Sequence, residues 1–349
     1  MPAQARPSDP RMTISSNTAT TENKRSPVLV SVRGLKKHFD LGRQQRVYAV
    51  NGVSFDIHEG ETLGLVGESG CGKSTTGRSI LGLHDLTEGQ VTFRGQDIHH
   101  LKRKTRRQVQ RDMQMIFQDP YASLNPRASV FDLIAEPLEI HGLCRDPKEK
   151  AQRIGSLLEE VGLNPSFARR YPHEFSGGQR QRIGIARALA LEPAFIVADE
   201  PISALDVSIQ AQIVQLLQRL QQERGLTYLF IAHDLAMVQY VSDRVGVMYM
   251  GYMAELADSE ALYHRPLHPY TQMLLSAIPI PDPQKQRQKM QQTVPGELPS
   301  PMIATTGCVF KSRCPRAMPV CGTETPVWRE HAPAHFAACH ALDAEAARP

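Results

Sequence analysis

The sequence predicts an α/β fold in which a parallel sheet presents one ligand site at the ends of its strands. Three short apolar stretches indicate this fold, and each runs directly into polar or glycine-rich residues. Thr62–Val66 precedes a glycine-rich turn, Phe195–Ala198 precedes two acidic residues, and Thr227–Ala232 precedes His233. Because ligands collect at the carboxyl ends of parallel strands, we expect these three polar stretches to meet at one site.

The turn after the first strand has the form G-x-x-x-x-G-K-S and leads into a helix. This pattern in this context is typical of a phosphate-binding loop, whose glycines let backbone N–H groups surround phosphate. We expect Lys73 to reach the outer phosphates and the Ser74 hydroxyl to bind Mg²⁺. The predicted nucleotide contacts of this loop are Gly67, Glu68, Ser69, Gly70, Cys71, Gly72, Lys73, Ser74 and Thr75.

Two adjacent carboxylates, Asp199 and Glu200, follow the second strand. Neighbouring strand residues point to opposite faces, so the two carboxylates can have different tasks. Asp199 fits a ligand of Mg²⁺, and Glu200 fits the general base that polarises water for hydrolysis. His233, at the end of the third strand, is a candidate contact of the γ-phosphate.

A second glycine pair stands immediately before a helix, in the stretch FSGGQRQR (Phe175–Arg182). Ser176, Gly177 and Gly178 would leave free amides at the helix N-terminus, which attracts anions. Since one phosphate-binding loop already holds one nucleotide, a second anion site indicates another nucleotide. The pattern predicts two subunits that face each other, each completing the other's site. A surface helix with a glycine-rich cap is the alternative.

Composition limits the class of protein. The 349 residues include 40 Lys and Arg and 36 Asp and Glu, and the net charge of +4 is too mild to predict a nucleic-acid partner. No apolar run approaches the roughly 18 residues of a spanning helix. Residues 1–27 are rich in polar residues and lack a secretory signal, so we expect a disordered tail on an intracellular chain.

Four of the six cysteines lie near the end of the chain, in the pattern C-x5-C-x6-C-x17-C. Structural zinc sites usually space paired ligands two to four residues apart, so zinc fits poorly. Four thiolates on irregular loops suit a 4Fe–4S cluster, with reduced thiols in a small apolar core as the alternative. The candidate ligands are Cys308, Cys314, Cys321 and Cys339.

Residues 28–262 resemble the ATPase subunit of an ABC transporter. The motifs that carry the resemblance occur in order: GESGCGKS, the glutamine of MIFQDP, FSGGQ, VADEP, SALD and His233. The resemblance implies a P-loop NTPase of the ABC nucleotide-binding type, with a RecA-like core and an antiparallel β subdomain. It also implies a helical subdomain at about 119–178, and a small cysteine-containing extension follows the ABC domain.

The same resemblance assigns further residues. Gln118 would sense the γ-phosphate or Mg²⁺ and link the site to membrane subunits, and Asp206 would communicate across a dimer. Phe39 would stack on adenine, with Tyr48 as the alternative. The residues implied to engage ATP bound to the partner are Ser176, Gly177, Gly178 and Gln179.

Residues 263–349 extend the resemblance to one subgroup, through HPYT and the cysteine tail. The subgroup comprises the ATP-binding subunits of dipeptide and oligopeptide importers, and related members carry a 4Fe–4S cluster. An importer of another substrate, such as nickel or glutathione, is the alternative within this subgroup. The chain is most similar to the dipeptide-permease ATP-binding subunit. The implied assembly contains a homologous second ATPase, two transmembrane permease subunits and, indirectly, an extracytoplasmic peptide-binding protein. It would lie peripherally on the cytoplasmic face of the inner membrane.

Two other classes remain alternatives. A soluble ABC-type ATPase acting on nucleic acid or ribosomes usually carries two cassettes or a long coiled coil, whereas this chain has one phosphate-binding loop and one FSGGQ. An iron–sulfur redox protein with incidental nucleotide binding would need an electron partner that the sequence does not indicate.

Overall fold

A computed structural model describes residues 26–42, 45–278, 302 and 306–346. Most of the predicted N-terminal tail, residues 1–25, lies outside the described residues, as do parts of the predicted C-terminal extension. The described residues form a four-stranded antiparallel sheet and an eight-stranded mixed sheet. In this part of the chain, no helix is both long enough and apolar enough to cross a bilayer.

The elements alternate between strands and helices along most of the chain. The strands are β1 (Val28–Gly42), β2 (Gln45–His58), β3 (Thr62–Val66), β4 (Glu88–Phe93), β5 (Gln96–Asp97), β6 (Met113–Ile116), β7 (Phe195–Asp199), β8 (Thr227–Ile231), β9 (Arg244–Tyr249), β10 (Tyr252–Asp258), β11 (Arg329–Ala332) and β12 (His335–Ala337). The α-helices are α1 (Lys73–Ile80), α2 (Arg103–Asp112), α3 (Val130–Ile140), α4 (Pro147–Glu160), α5 (Gly177–Leu189), α6 (Val207–Arg224), α7 (Leu235–Val241), α8 (Ser259–His264), α9 (Pro269–Ser276) and α10 (His340–Ala346).

The larger sheet has the order β11-β12-β10-β9-β3-β8-β7-β6. Its strands from β9 to β6 are parallel, and β3, β7 and β8 are buried throughout. Near-continuous apolar strands are expected where helices cover both faces of a parallel sheet. The first predicted strand, Thr62–Val66, is present with the predicted bounds. The second ends one residue later than predicted, and the third one residue earlier.

The order of the parallel strands positions the site. Strands β3, β8, β7 and β6 are neighbours, and each is followed by a motif. The phosphate-binding loop follows β3, His233 lies just beyond β8, Glu200 follows β7, and Gln118 lies just beyond β6. Four separated motifs therefore meet at one edge of the sheet, as parallel strands require.

Helices α3 and α4 form a helical subdomain between Gln118 and α5, inside the predicted range 119–178. Helix α3 begins with a capping box, in which the Ser129 and Asp132 side chains each accept a backbone N–H of the other residue. Its apolar face, which includes Leu133 and Leu138, packs in one core with α4 and α5.

The chain beyond residue 262 is attached to the core by a buried carboxylate. Glu255 of β10 accepts hydrogen bonds from the backbone N–H groups of Leu267 and His268, at 2.8 and 2.9 Å. Its Oε1 also lies 2.6 Å from Nε2 of His335. The predicted boundary at 262 falls inside α8, and β11 and β12 extend the core sheet.

Candidate active site

An open cavity of about 980 Å³ lies at the carboxyl ends of the parallel strands. It is lined by the phosphate-binding loop together with Phe39, Gln118, Glu200 and His233. The structure thus brings together predicted residues from five separate parts of the chain. Its mouth is open, so the cavity can admit a ligand as large as a nucleotide.

The phosphate-binding loop turns tightly onto α1. Gly72 has φ of 103°, and a Cβ atom there would lie 2.2 Å from the carbonyl oxygen of Ala49, so only glycine fits. Lys73 is buried, and its Nζ donates to the carbonyls of Gly67 and Glu68 at 2.9 and 3.1 Å. The lysine is therefore held inside the loop at the place where phosphates would bind.

Three predicted contacts of this loop do not line the cavity. Gly67 and Cys71 are buried behind the loop, and burial raises the pKa of the Cys71 thiol, which stays protonated. The Glu68 carboxylate turns away and pairs with Arg313. These three residues shape the loop, whereas Ser69, Gly70, Gly72, Lys73, Ser74 and Thr75 line the cavity.

The two principal candidates for binding Mg²⁺ lie against each other. The Ser74 hydroxyl donates to Oδ1 of Asp199 at 2.6 Å, and Asp199 is fully buried. A hydroxyl and a carboxylate beside a phosphate site are the hard oxygen donors that suit Mg²⁺. Arg78, four residues after Ser74 on α1, places its guanidinium 3.4 Å from Oδ2 of Asp199. Ser74 and Asp199 would hold the ion, which would offset phosphate charge.

The predicted base stands in the cavity with two polar neighbours. Gln118 donates from Nε2 to Oε2 of Glu200 at 2.7 Å, and Nδ1 of His233 lies 3.6 Å from the same oxygen. The amide N–H of Gln118 is therefore directed at the base. Glu200 has φ of 46°, an uncommon backbone conformation for a residue with a side chain. Such backbone strain is often found at functional sites.

The glycine pair of FSGGQ lies at the start of α5, as predicted. Ser176 and Gln179 form a capping box, and none of the four residues Ser176–Gln179 lines the nucleotide cavity. Asp206 is exposed at the start of α6, and its side chain makes no capping bond. Ser176 and Asp206 are exposed and Gly177 and Gln179 are half-buried, so these four residues can be reached by a ligand or a partner, whereas Gly178 is buried.

Of the two aromatic candidates for adenine, only Phe39 lines the cavity. Its ring is 5.4 Å from the ring of His84, and the Lys37 ammonium lies 4.8 Å from its centroid. Tyr48 instead packs edge-on against His38. The geometry favours Phe39.

Comparison with known proteins decides the family. Residues 50–203 match the ABC transporter family model, and residues 254–321 match the model for the oligopeptide/dipeptide transporter C-terminal region. A putative oligopeptide transport ATP-binding protein of Bacillus subtilis, YkfD, is 60% identical over 89% of this chain and 95% of its own length. The chain belongs to the ABC transporter family. The predicted resemblance to its oligopeptide and dipeptide subgroup is confirmed.

Other relatives and solved structures agree with this membership. The Escherichia coli oligopeptide transport ATP-binding protein OppF is 52% identical over 88% of this chain and 94% of its own. The dimeric ATP-binding cassette MJ0796, solved in a post-hydrolysis state with ADP and Pi, has a TM-score of 0.61 at 30% identity. It covers 66% of this chain and 99% of its own. The predicted ABC nucleotide-binding fold is confirmed.

The predicted 4Fe–4S cluster receives no support from the geometry. Among the residues that the structure describes, no three or more His, Cys, Asp or Glu side chains form a group that could hold a metal ion. All six cysteines are free thiols, and burial raises the pKa of Cys308 to about 11. Cys308 and Cys321 are buried in the main core and Cys314 packs against it, whereas Cys339 lies in a separate small apolar cluster.

Sequence reasoning missed three residues near the nucleotide site. Arg78 could have been found, because four residues after Ser74 is the same face of a helix. Tyr270 and Arg313 contact the phosphate-binding loop at Glu68 from the C-terminal region, and no local pattern indicates that contact. Their separation from Glu68 is 202 and 245 residues.

Proposed function

We propose that this chain is the ATP-hydrolysing, energy-coupling subunit of an importer of oligopeptides or dipeptides. Gln118 is the residue that carries the proposal, because it lines two cavities at once. One is the nucleotide cavity, and the other is a groove of about 740 Å³ between the core and the helical subdomain. Its neighbour Asp119 lines both as well, so a change at the nucleotide would reach the groove through these two adjacent residues.

The groove has the character of a surface for a protein partner. Phe117, Pro137 and Ile140 line it, and the Ile140 side chain is 55% exposed. The groove is also lined by charged residues of both signs: Arg78, Asp119, Glu136 and Arg187. A groove that combines apolar and charged side chains suits a short amphipathic helix, which a permease subunit would supply.

Hydrolysis would use this chain's residues in distinct roles. Lys73 would exchange its two carbonyl partners for phosphate oxygens, and Gln118 would hold the Glu200 carboxylate in position through its hydrogen bond. Glu200 would accept the proton of the attacking water, and His233 would contact the γ-phosphate. The signature residues from Ser176 to Gln179 would close on ATP bound to a homologous partner subunit.

Replacing Glu200 with glutamine tests the base. We expect ATP binding to persist and the closed dimer to accumulate, while hydrolysis falls by roughly a hundredfold to ten-thousandfold, the usual contribution of a general base. Glu223→Gln makes the same change on the exposed face of α6 and should leave hydrolysis unaltered. Turnover in Glu200→Gln equal to that of Glu223→Gln would refute the assignment.

Replacing Ile140 with aspartate tests the groove. We expect the variant to bind ATP normally, to lose co-purification with permease subunits and to abolish peptide uptake. Leu41→Asp is a matched control, since Leu41 is similarly exposed, at 60%, but lies outside the groove. Retained uptake in Ile140→Asp would rule out the groove, and co-purification with ribosomes would favour a soluble ABC-type ATPase.

The cellular setting and the partners follow from the family. The proposed complex contains this chain, a different homologous ATPase and two permease subunits, on the cytoplasmic face of the inner membrane. Its cargo would arrive through an extracytoplasmic peptide-binding protein. The relatives are named for oligopeptide transport, so the narrower similarity to the dipeptide-permease ATP-binding subunit stays a prediction.

A 4Fe–4S cluster stays part of the proposal through the resemblance to importer subunits that carry one, since the described side chains form no group that could hold a metal ion. The Cys321 sulfur accepts the backbone N–H of Met318 at 3.5 Å, a kind of hydrogen bond that cluster ligands also accept. Anaerobically purified protein should contain iron and sulfide, which Cys321→Ser loses and Cys144→Ser keeps. Wild-type protein without iron would remove the cluster.

A further inference from the structure

The phosphate-binding loop carries a negative charge of its own, although the carboxylate does not line the nucleotide cavity. Glu68 is the second residue of the loop, between Gly67 and Ser69. An unpaired carboxylate in the loop would repel a bound triphosphate even without touching it, because the interaction between charges falls off only gradually with distance. The loop therefore needs a nearby positive charge to keep its affinity for nucleotide.

Arg313 supplies that charge from the far end of the chain. Its guanidinium donates from both terminal nitrogens to the two oxygens of Glu68, at 2.8 and 3.0 Å. The Arg313 side chain is only 9% exposed and lies near the rings of Tyr249 and Phe310. A bidentate pair in such surroundings fixes both position and charge.

Tyr270 holds the same residue through the backbone. Its hydroxyl accepts the N–H of Glu68 at 3.0 Å, while the carbonyl of Glu68 accepts from Lys73. The Tyr270 ring is fully buried against Tyr249 and Phe310, with ring centroids 4.6 and 5.4 Å away. The amide and the carboxylate of Glu68 thus have partners in the C-terminal region, and these do not depend on Lys73.

We propose that Arg313 and Tyr270 are positioning residues of the nucleotide site, through which the C-terminal region sets the affinity for ATP. Arg313 neutralises the Glu68 carboxylate, and Tyr270 orients the peptide from which the loop turns. The inference rests on the nucleotide site of the proposed function and not on the transported molecule. Withdrawal of the C-terminal region from the loop would weaken nucleotide binding without any change in the catalytic residues.

The test is ATP affinity by titration calorimetry on the full chain, in four variants. Arg313→Ala should weaken ATP binding by roughly tenfold, a typical coupling between sites. Glu68→Gln should bind at least as tightly as wild type, and Glu68→Gln combined with Arg313→Met should be close to wild type. Arg329→Ala removes a C-terminal arginine that pairs with Asp343, and should change nothing.

The double variant separates neutralisation from a merely structural role. If Arg313 only stabilises the fold, the double variant will bind as weakly as Arg313→Ala, and the proposal fails. Should Arg313→Ala not fold, Tyr270→Phe keeps the buried ring but loses the acceptor, and its affinity should fall severalfold. Affinity equal to wild type in both Arg313→Ala and Tyr270→Phe would overturn the proposal. Wild-type protein that binds no ATP would instead refute the nucleotide site itself.

Discussion

Replacing Gly178 with alanine should destabilise the protein, whereas the same replacement at Gly184, in the same helix, should stabilise it. A Cβ atom at Gly178 would lie 2.5 Å from Cγ2 of Ile209 on α6, and one at Gly184 would meet nothing within 4 Å. Carbon atoms normally approach to about 3.5–4.0 Å, so α5 and α6 would have to separate by about 1 Å at Gly178.

The two replacements should change the free energy of unfolding in opposite directions. Overpacking a close contact costs about 1–3 kcal/mol. Alanine in a helix recovers up to about 1 kcal/mol relative to glycine, which offsets part of that cost at Gly178 and acts alone at Gly184. The free energies of unfolding of the two variants should therefore differ by about 2 kcal/mol. Because Gly178 belongs to the FSGGQ signature, its variant should also lose ATP-dependent dimer closure.

Urea unfolding followed by circular dichroism measures the difference. Ile209→Ala removes the methyl group that a new Cβ would strike, so combining it with Gly178→Ala should cost less than the two changes added together. The packing argument is wrong if Gly178→Ala unfolds at the wild-type urea concentration. It is also wrong if Ile209→Ala leaves the penalty unchanged.

Three further predictions concern pH, a buried ion pair and the adenine contact. Burial lowers the pKa of His268 from 6.5 to about 4, so the unfolded chain binds a proton that the folded chain excludes. The free energy of unfolding should therefore fall by about 3 kcal/mol from pH 6.5 to 4. It should fall less in His268→Asn, which keeps an N-cap acceptor but cannot bind the proton. Equal pH slopes in the two proteins would contradict this. Arg244→Met should cost about 3–5 kcal/mol in urea unfolding, because it strands the buried carboxylate of Glu61, and a cost below about 1 kcal/mol would refute it. Phe39→Ala should weaken ATP binding by at least about fivefold, since stacking contributes about 1–3 kcal/mol per base, and Tyr48→Ala should not weaken it. Weaker ATP binding in Tyr48→Ala than in Phe39→Ala would transfer the role to Tyr48.

Much of the nucleotide site could be predicted because its motifs are local. A strand followed by G-x-x-x-x-G-K-S specifies its own conformation, and a strand that ends at Asp199 must deliver that residue to the same edge as the loop. The prediction for Gln118 was less complete, because its hydrogen bond to Glu200 spans 82 residues. The assignment of Phe39 over Tyr48 also depended on which ring the antiparallel sheet directs into the cavity.

The C-terminal region shows most clearly what could not be predicted from the sequence. The cysteine pattern predicted ligands of one cluster, yet the described side chains do not form a group that could hold a metal ion. No local pattern in the sequence indicates the pair of Glu68 and Arg313, although Glu68 belongs to the phosphate-binding loop.

By itself, the sequence determined the phosphate-binding loop, the parallel sheet and the membership of the ABC transporter family. These follow from residue types at short spacings, where backbone geometry is dictated by neighbours. Only the tertiary structure decided which distant side chains brace the loop and which aromatic ring faces the cavity. Contacts between residues hundreds of positions apart depend on how whole elements pack, and no periodicity along the chain encodes them.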